Sequence, residues 1–244
     1  MSDVTRMEFT SSAMLLDEAL AVYLDRPSSR ASHDAMKQFF ESNPRLDNNA
    51  TKALVSILQL RDNEWLPQLF AAHLLSRYDE FDSELMEPLL WAAIEVQNPS
   101  VNKDFLMPCL NAIRAEAVID WLVETFANAG QVHRIGISSL VYWLTGYSVD
   151  PFELRQRKKD GIEVDEWLAS HAIDATKLKN VIAEAARVTD NLVERYHYRL
   201  ALAEMPELFP DVPDCATALT ERIAGNSEYE ELLYDRLGWR RSGD

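Results

Sequence analysis

From Ala50 onward, apolar residues recur three and four positions apart, and only short polar breaks interrupt them. Leu54, Ile57 and Leu58 form one stripe, and Leu66, Leu69, Phe70 and Leu74 form the next. Leu85, Leu89, Ala92, Ile94 and Val96 follow, then Phe105, Leu106, Cys109, Leu110 and Ile113. Two more run through Val118, Leu122 and Phe126, and through Val132, Ile135, Leu140 and Leu144. Side chains at this spacing share one face of a helix. Each stripe therefore predicts a helix of about ten to fifteen residues with its apolar side turned to a core. Runs of Val, Ile and Thr in strict alternation, the mark of a half-buried strand, are missing, so the chain reads as all-α.

The breaks carry turn chemistry: Arg61-Asp62-Asn63, Gln97-Asn98-Pro99-Ser100 and Asn128-Ala129-Gly130-Gln131. The first apolar residues after them are Trp65, Val101 and Val132, spaced 36 and 31 residues apart by their numbering. One such step back from Trp65 reaches Ala31, where a helix from Ala31 to Phe40 follows Pro27-Ser28-Ser29. The spacing predicts about four helical pairs between residues 11 and 145, after a tail at residues 1–10. A single pair cannot bury its own stripe, whereas stacked pairs bury a continuous core.

The segment Gly130-Gln131-Val132-His133-Arg134-Ile135-Gly136-Ile137-Ser138-Ser139-Leu140 resembles the second helix of a HEAT repeat. It starts at a turn, and Arg134, Gly136, Ser139 and Leu140 fit the basic, small and leucine positions of that helix. The pair at Trp65 departs from the pattern, with bulky Phe70 and His73 where small residues are usual. The resemblance implies an α-solenoid of antiparallel helix pairs, whose second helices line a concave binding surface. Pro67, Pro88 and Pro108 fall inside helical patterns, where each is expected to kink its helix, as is common in HEAT-like stacks.

Beyond residue 145 the pattern loosens. Gly146 closes a helix, Asp150-Pro151 reads as a cap and first helical residue, and Asp174 can cap one long helix running to about Met205. Pro206, Pro210 and Pro213 stop it, and two helices are expected at about 215–224 and 227–237. Residues 146–244 thus read as an irregular helical cap continuous with the stack.

The chain carries 40 acids against 24 bases, a formal charge of −16. That balance disfavours nucleic acid and anionic membrane as partners and suits a basic one. The only basic run is Arg155-Gln156-Arg157-Lys158-Lys159. The N-terminus lacks a signal-peptide pattern, no stretch is apolar enough to span a bilayer, and the two lone cysteines, Cys109 and Cys215, fit a reducing compartment. A cytoplasmic protein with no membrane partner is the expectation.

No motif for nucleophilic, metal or phosphate chemistry is present, and none of His33, His73, His133, His171 and His197 pairs with another at helical spacing. The chain is accordingly read as a non-enzyme with no cofactor and no metal. His73, on an expected inner helix, and Cys109, on an apolar stripe, read as packing residues. The expected role is binding of a protein partner, in its sharpest form as an acidic inhibitor of the immunity-protein kind that masks a basic site. Glu64, Gln68, Asn102, Gln131 and Arg134 are the expected exposed positions of the inner helices. Asp79, Glu80, Asp82, Glu84 and Glu87 are the densest acid cluster, either a capped helix start or an acidic rim facing a basic partner. An enzyme on the same scaffold, acting on a nucleic-acid base or a bound pigment, and a structural subunit of a larger assembly are the competing readings.

Overall fold

A computed structural model describes residues 11–27, 29–60, 65–96, 99–144 and 173–212. Within these residues the chain is helical and has no strand. Eight helices cover the first part: α1 (Ser11–Asp25), α2 (Arg30–Ser42), α3 (Asn48–Leu58), α4 (Trp65–Leu75), α5 (Met86–Glu95), α6 (Pro99–Ala112), α7 (Ala115–Asn128) and α8 (Gln131–Leu144). Two more, α9 (Thr176–Val188) and α10 (Leu192–Ala201), lie in the last third. Single 3-10 turns occupy Ser83–Leu85 and Pro206–Leu208. The tail at 1–10, Glu64, the basic run 155–159, Cys215 and the helices expected near 215 and 227 lie outside the described residues.

The helix starts follow from side chains that replace missing intrahelical partners. Ser29 accepts from the Ser32 backbone N–H ahead of α2, and Asp47 accepts from Ala50 N at 2.7 Å ahead of α3. Asp82 accepts from Glu84 N at 3.0 Å and starts the 3-10 turn that leads into α5. Asp174 accepts from Thr176 N at 3.0 Å, but it stands one residue ahead of the expected place, since Ala175 occupies the cap position of α9 and makes no side-chain cap bond.

Two expectations about the helices need correction. The long helix from Asp174 to Met205 is broken into α9 and α10. Thr189-Asp190-Asn191 leaves helical geometry, and Asn191 accepts from Val193 N and Glu194 N to start a fresh helix. Of the three prolines, Pro108 is interior to α6, whereas Pro67 and Pro88 are the third residues of described α4 and α5, the latter helix following directly on the 3-10 turn Ser83–Leu85.

The described contacts divide the chain into two units, each considered by itself. The first comprises Met1–Ala93 and Asp104–Arg114, the second Ile94–Lys103 and Ala115–Asp244. The division falls inside α5 and α6 and groups α7 and α8 with the last third of the chain, without a boundary at residue 145. In the first unit α1 packs on α2, α3 and α4. α4 is apolar all round, and Pro67 through Ala72, Leu74 and Leu75 are buried on every side, which makes it the unit's central helix. In the second unit α10 packs on α8, and α9 packs on α7 and α10. Leu122 and Phe126, Leu140 and Leu144, and Leu178 and Ile182 supply buried residues from α7, α8 and α9.

Candidate functional site

The expected inner-face residues do not share one environment. Gln68 is buried, and its Nε2 donates to the carbonyls of Leu58 (2.9 Å) and Leu60 (2.7 Å), so it closes the C-terminal end of α3 instead of facing solvent. Asn102 is also fully buried: its Nδ2 donates to Ser139 Oγ at 3.0 Å, and its Oδ1 accepts from Trp143 Nε1 at 2.9 Å. Both amides were expected among the exposed positions of the inner helices. They are inside because each satisfies groups that burial would otherwise leave without partners. Gln131 is exposed, and Arg134 is half-buried with its guanidinium 5.8 Å from the Phe126 ring. Glu64 lies outside the described residues.

The acid cluster is where its composition places it. Asp79, Glu80, Asp82, Glu84 and Glu87 are all exposed along the connection from α4 to α5. Asp82 is used as a cap, and Glu87 accepts from Trp91 Nε1 at 3.3 Å across one helical turn. None of the five forms an ion pair with another described residue. Nine residues of chain thus present five carboxylates, none neutralised within the described protein.

Near the centre of the first unit the fold builds a second cluster. Tyr23 of α1 donates its phenol proton to, or accepts one from, Nδ1 of His73 of α4 at 3.1 Å. His73 Nε2 stands 3.6 Å from Oδ2 of Asp104 of α6. The Tyr23 ring is fully buried and meets Phe70 edge-on at a centroid distance of 5.5 Å. The side chains of His73 and Asp104 are 37% and 30% exposed, so their facing atoms are within reach of solvent.

The Asp104 charge favours one placement of the His73 ring proton. An ionised carboxylate only accepts, so the ring proton belongs on Nε2, facing Asp104; Nδ1 then accepts the Tyr23 O–H. At 3.6 Å the Nε2–carboxylate approach is too long for a hydrogen bond and acts through charge alone. Burial, with the Asp104 charge adding to it, pushes the Tyr23 phenol up to about 12, so Tyr23 stays a neutral, proton-bearing partner.

Two other buried phenols share this shift. Tyr78, which donates to the Asn43 carbonyl at 2.9 Å, is pushed up to about 12 by burial. Tyr198 is raised by burial and by Glu194, with Arg134 opposing. In the unfolded chain a tyrosine ionises near its ordinary value of 10.0. Above that pH the unfolded state gives up protons that the folded state still holds. The tyrosine contribution is therefore whole below pH 10 and drains as pH rises towards 12, and the buried Cys109 thiol, which ionises near 9.0 when exposed, starts the decline earlier. Urea midpoints measured from pH 8 to 11.5 should begin to fall near pH 9 and fall more steeply beyond pH 10; a midpoint still flat at pH 11.5 would contradict these burials.

Cys109 is buried on α6, with its Sγ 3.8 Å from the carbonyls of Met86 and Phe105, and burial raises its thiol. It is a packing residue, as its stripe predicts. His73 was visible as a histidine on an inner helix. Tyr23 and Asp104 were not singled out, because they stand 50 and 31 residues away along the chain and no local spacing joins them.

Among the described residues no helix is long and apolar enough to cross a membrane, and no three His, Cys, Asp or Glu side chains gather as a metal set. Comparison of the chain with protein-family models, with curated proteins and with solved structures gives no match. The class that the fold defines is an all-helical protein.

Proposed function

We propose that this protein is a non-enzymatic protein-binding module that engages a basic partner, and that the partner meets the exposed carboxylates of the α4–α5 connection. One observation carries the reading: Asp79, Glu80, Asp82, Glu84 and Glu87 are all exposed and unneutralised within the described residues of a chain of charge −16. Uncompensated surface carboxylates raise the local concentration of cationic surfaces and speed their association. In its finer form the reading is an α-solenoid of HEAT-like antiparallel pairs, with the last third as its cap. Its partner would be a cytoplasmic basic protein, held in the manner of an immunity protein masking a basic site. The helix lengths between Ser11 and Leu144 support that form.

The test uses the partner captured from the protein's own cell and an Asp79→Asn, Glu80→Gln, Glu84→Gln, Glu87→Gln variant that spares the capping Asp82. The association rate of the wild type should fall steeply with salt, and the variant should associate at least about tenfold more slowly at low salt. Equal rates for the two, or a wild-type rate indifferent to salt, would remove the acidic surface from the function.

A second reading, an enzyme on the same scaffold, is supported by the accessible His73 beside Asp104. His73→Gln would then abolish turnover of a substrate while leaving partner association intact; the binding reading expects neither a substrate nor a turnover.

A further inference from the structure

We infer that residues 203–212 form a strap that opens and closes over the α9–α10 pair as one unit, with Arg195 of α10 as its latch. The inference concerns the second unit alone and does not rest on the binding role proposed for the acidic connection.

The segment owes its place to side chains. It leaves α10 after Leu202, makes one 3-10 turn at Pro206–Leu208 and runs, within the described residues, to Val212. The backbone bonds of its amides are local. Met205 N donates to Leu202 O, Leu208 N to Met205 O, Phe209 N to Pro206 O and Val212 N to Phe209 O, each three residues back. Bonds of that kind travel with the segment when it moves and do not fasten it to a neighbouring helix. Phe209 and Val212 are buried, while Glu204, Glu207, Pro210 and Asp211 are exposed, so the strap has an apolar inner side and an acidic outer one.

Arg195 does the fastening. Its Nε donates to Asp211 Oδ2 at 2.9 Å and its Nη2 to Asp211 Oδ1, a bidentate pair that fixes direction as well as charge. Nη2 also donates to the Leu208 carbonyl at 3.2 Å, and Nη1 donates to the Ala186 carbonyl of α9 at 2.9 Å. The guanidinium carbon stands 5.8 Å from the centre of the Phe209 ring. One side chain thus joins both helices of the pair to three residues of the strap. It is only 14% exposed, so the closed strap keeps away water that would compete for its bonds. The hydrogen bond from Arg195 also holds the Asp211 carboxyl below its ordinary range. A second tie, from Lys179 of α9 to Glu204, sits at the strap's start. Ties gathered on one residue make release cooperative, because losing Asp211 also loosens Leu208 and Phe209. Opening bares Phe209 and Val212 and frees Lys179 and Arg195 from their carboxylates. The closed form therefore covers an apolar surface edged by two cations.

Amide hydrogen exchange of the full chain, read residue by residue by NMR, is the test. In the wild type Leu208, Phe209 and Val212 should share one opening constant and exchange faster than Leu140 of α8. Asp211→Asn leaves the Arg195 bond to Ala186 in place. It should lower the protection of all three strap amides together, at least about tenfold, and leave Leu140 unchanged. Phe209→Ala, on the strap's inner side, should speed the same three. Glu207→Gln, exposed and outside the latch, should change nothing. Three amides with unrelated protection in the wild type would overturn the strap as a unit, whatever the variants do. So would an Asp211→Asn effect confined to Val212, or one that reaches Leu140 in equal measure, which would make Asp211 a support of the whole second unit.

Discussion

Replacing Phe70 by alanine is expected to cost about 3–5 kcal/mol of stability, the range for truncating a fully buried phenylalanine. Two features put it in the upper part of that range. α4 is buried on nearly all sides, so the cavity opens at the middle of the first unit and its neighbours have little freedom to collapse into it. The ring also meets Tyr23 edge-on at 5.5 Å, so its loss frees the phenol that holds His73. Folded proteins of this kind hold only about 5–15 kcal/mol in all, so the variant should lose a large share of its margin. Equilibrium urea unfolding of wild type, Phe70→Leu and Phe70→Ala gives the readout, with the leucine variant expected to lie between the other two. A loss under about 1 kcal/mol for the alanine variant would mean that Phe70 is not at a packed centre.

The second large effect is expected from adding a single carbon at Gly136. A Cβ built there would stand 2.2 Å from the backbone oxygen of Ile94 and 2.9 Å from its Cγ2. The first of these is main chain, which cannot swing aside as a side-chain tip can. Gly136→Ala must push α8 away from the Ile94–Lys103 segment and strain the Asn102 bonds to Ser139 and Trp143 that lie on the same contact. Overpacking of this kind costs about 1–3 kcal/mol, and a backbone clash belongs at its upper end. Gly130 serves as the comparison, since a Cβ there meets nothing within 4 Å, and Gly130→Ala should cost under about 1 kcal/mol. Thermal unfolding of the two variants side by side would expose the idea as wrong if Gly136→Ala proved as stable as Gly130→Ala.

What the sequence made legible was what is decided locally. The six helices from Asn48 to Leu144 are visible because the apolar stripe of each repeats within its own segment. The break between α9 and α10 was missed for a matching reason. Thr189, Asp190 and Asn191 are tolerable on a solvent-facing helical turn, and only the Asn191 side chain's bonds to Val193 N and Glu194 N make them a boundary. The small residues Gly136 and Ser139 were legible as a pattern but not as a contact, since their neighbours Ile94 and Asn102 lie some forty residues earlier. The exposure of the acidic connection follows from composition alone. The burial of Gln68 and Asn102 does not, because an amide is equally at home in water and in a buried niche that meets its bonds. The Tyr23–His73–Asp104 cluster joins three helices through residues whose sequence neighbours give no hint of one another.

The chain leaves the first unit at Ile94, contributes ten residues to the second, returns at Asp104 and leaves again after Arg114. No single cut therefore separates the two. A fragment ending at Arg114 would keep Ile94 and Asn102, whose partners Gly136, Ser139 and Trp143 it has lost. A fragment beginning at Ala115 would display Gly136 and Ser139 on a helix with nothing to receive.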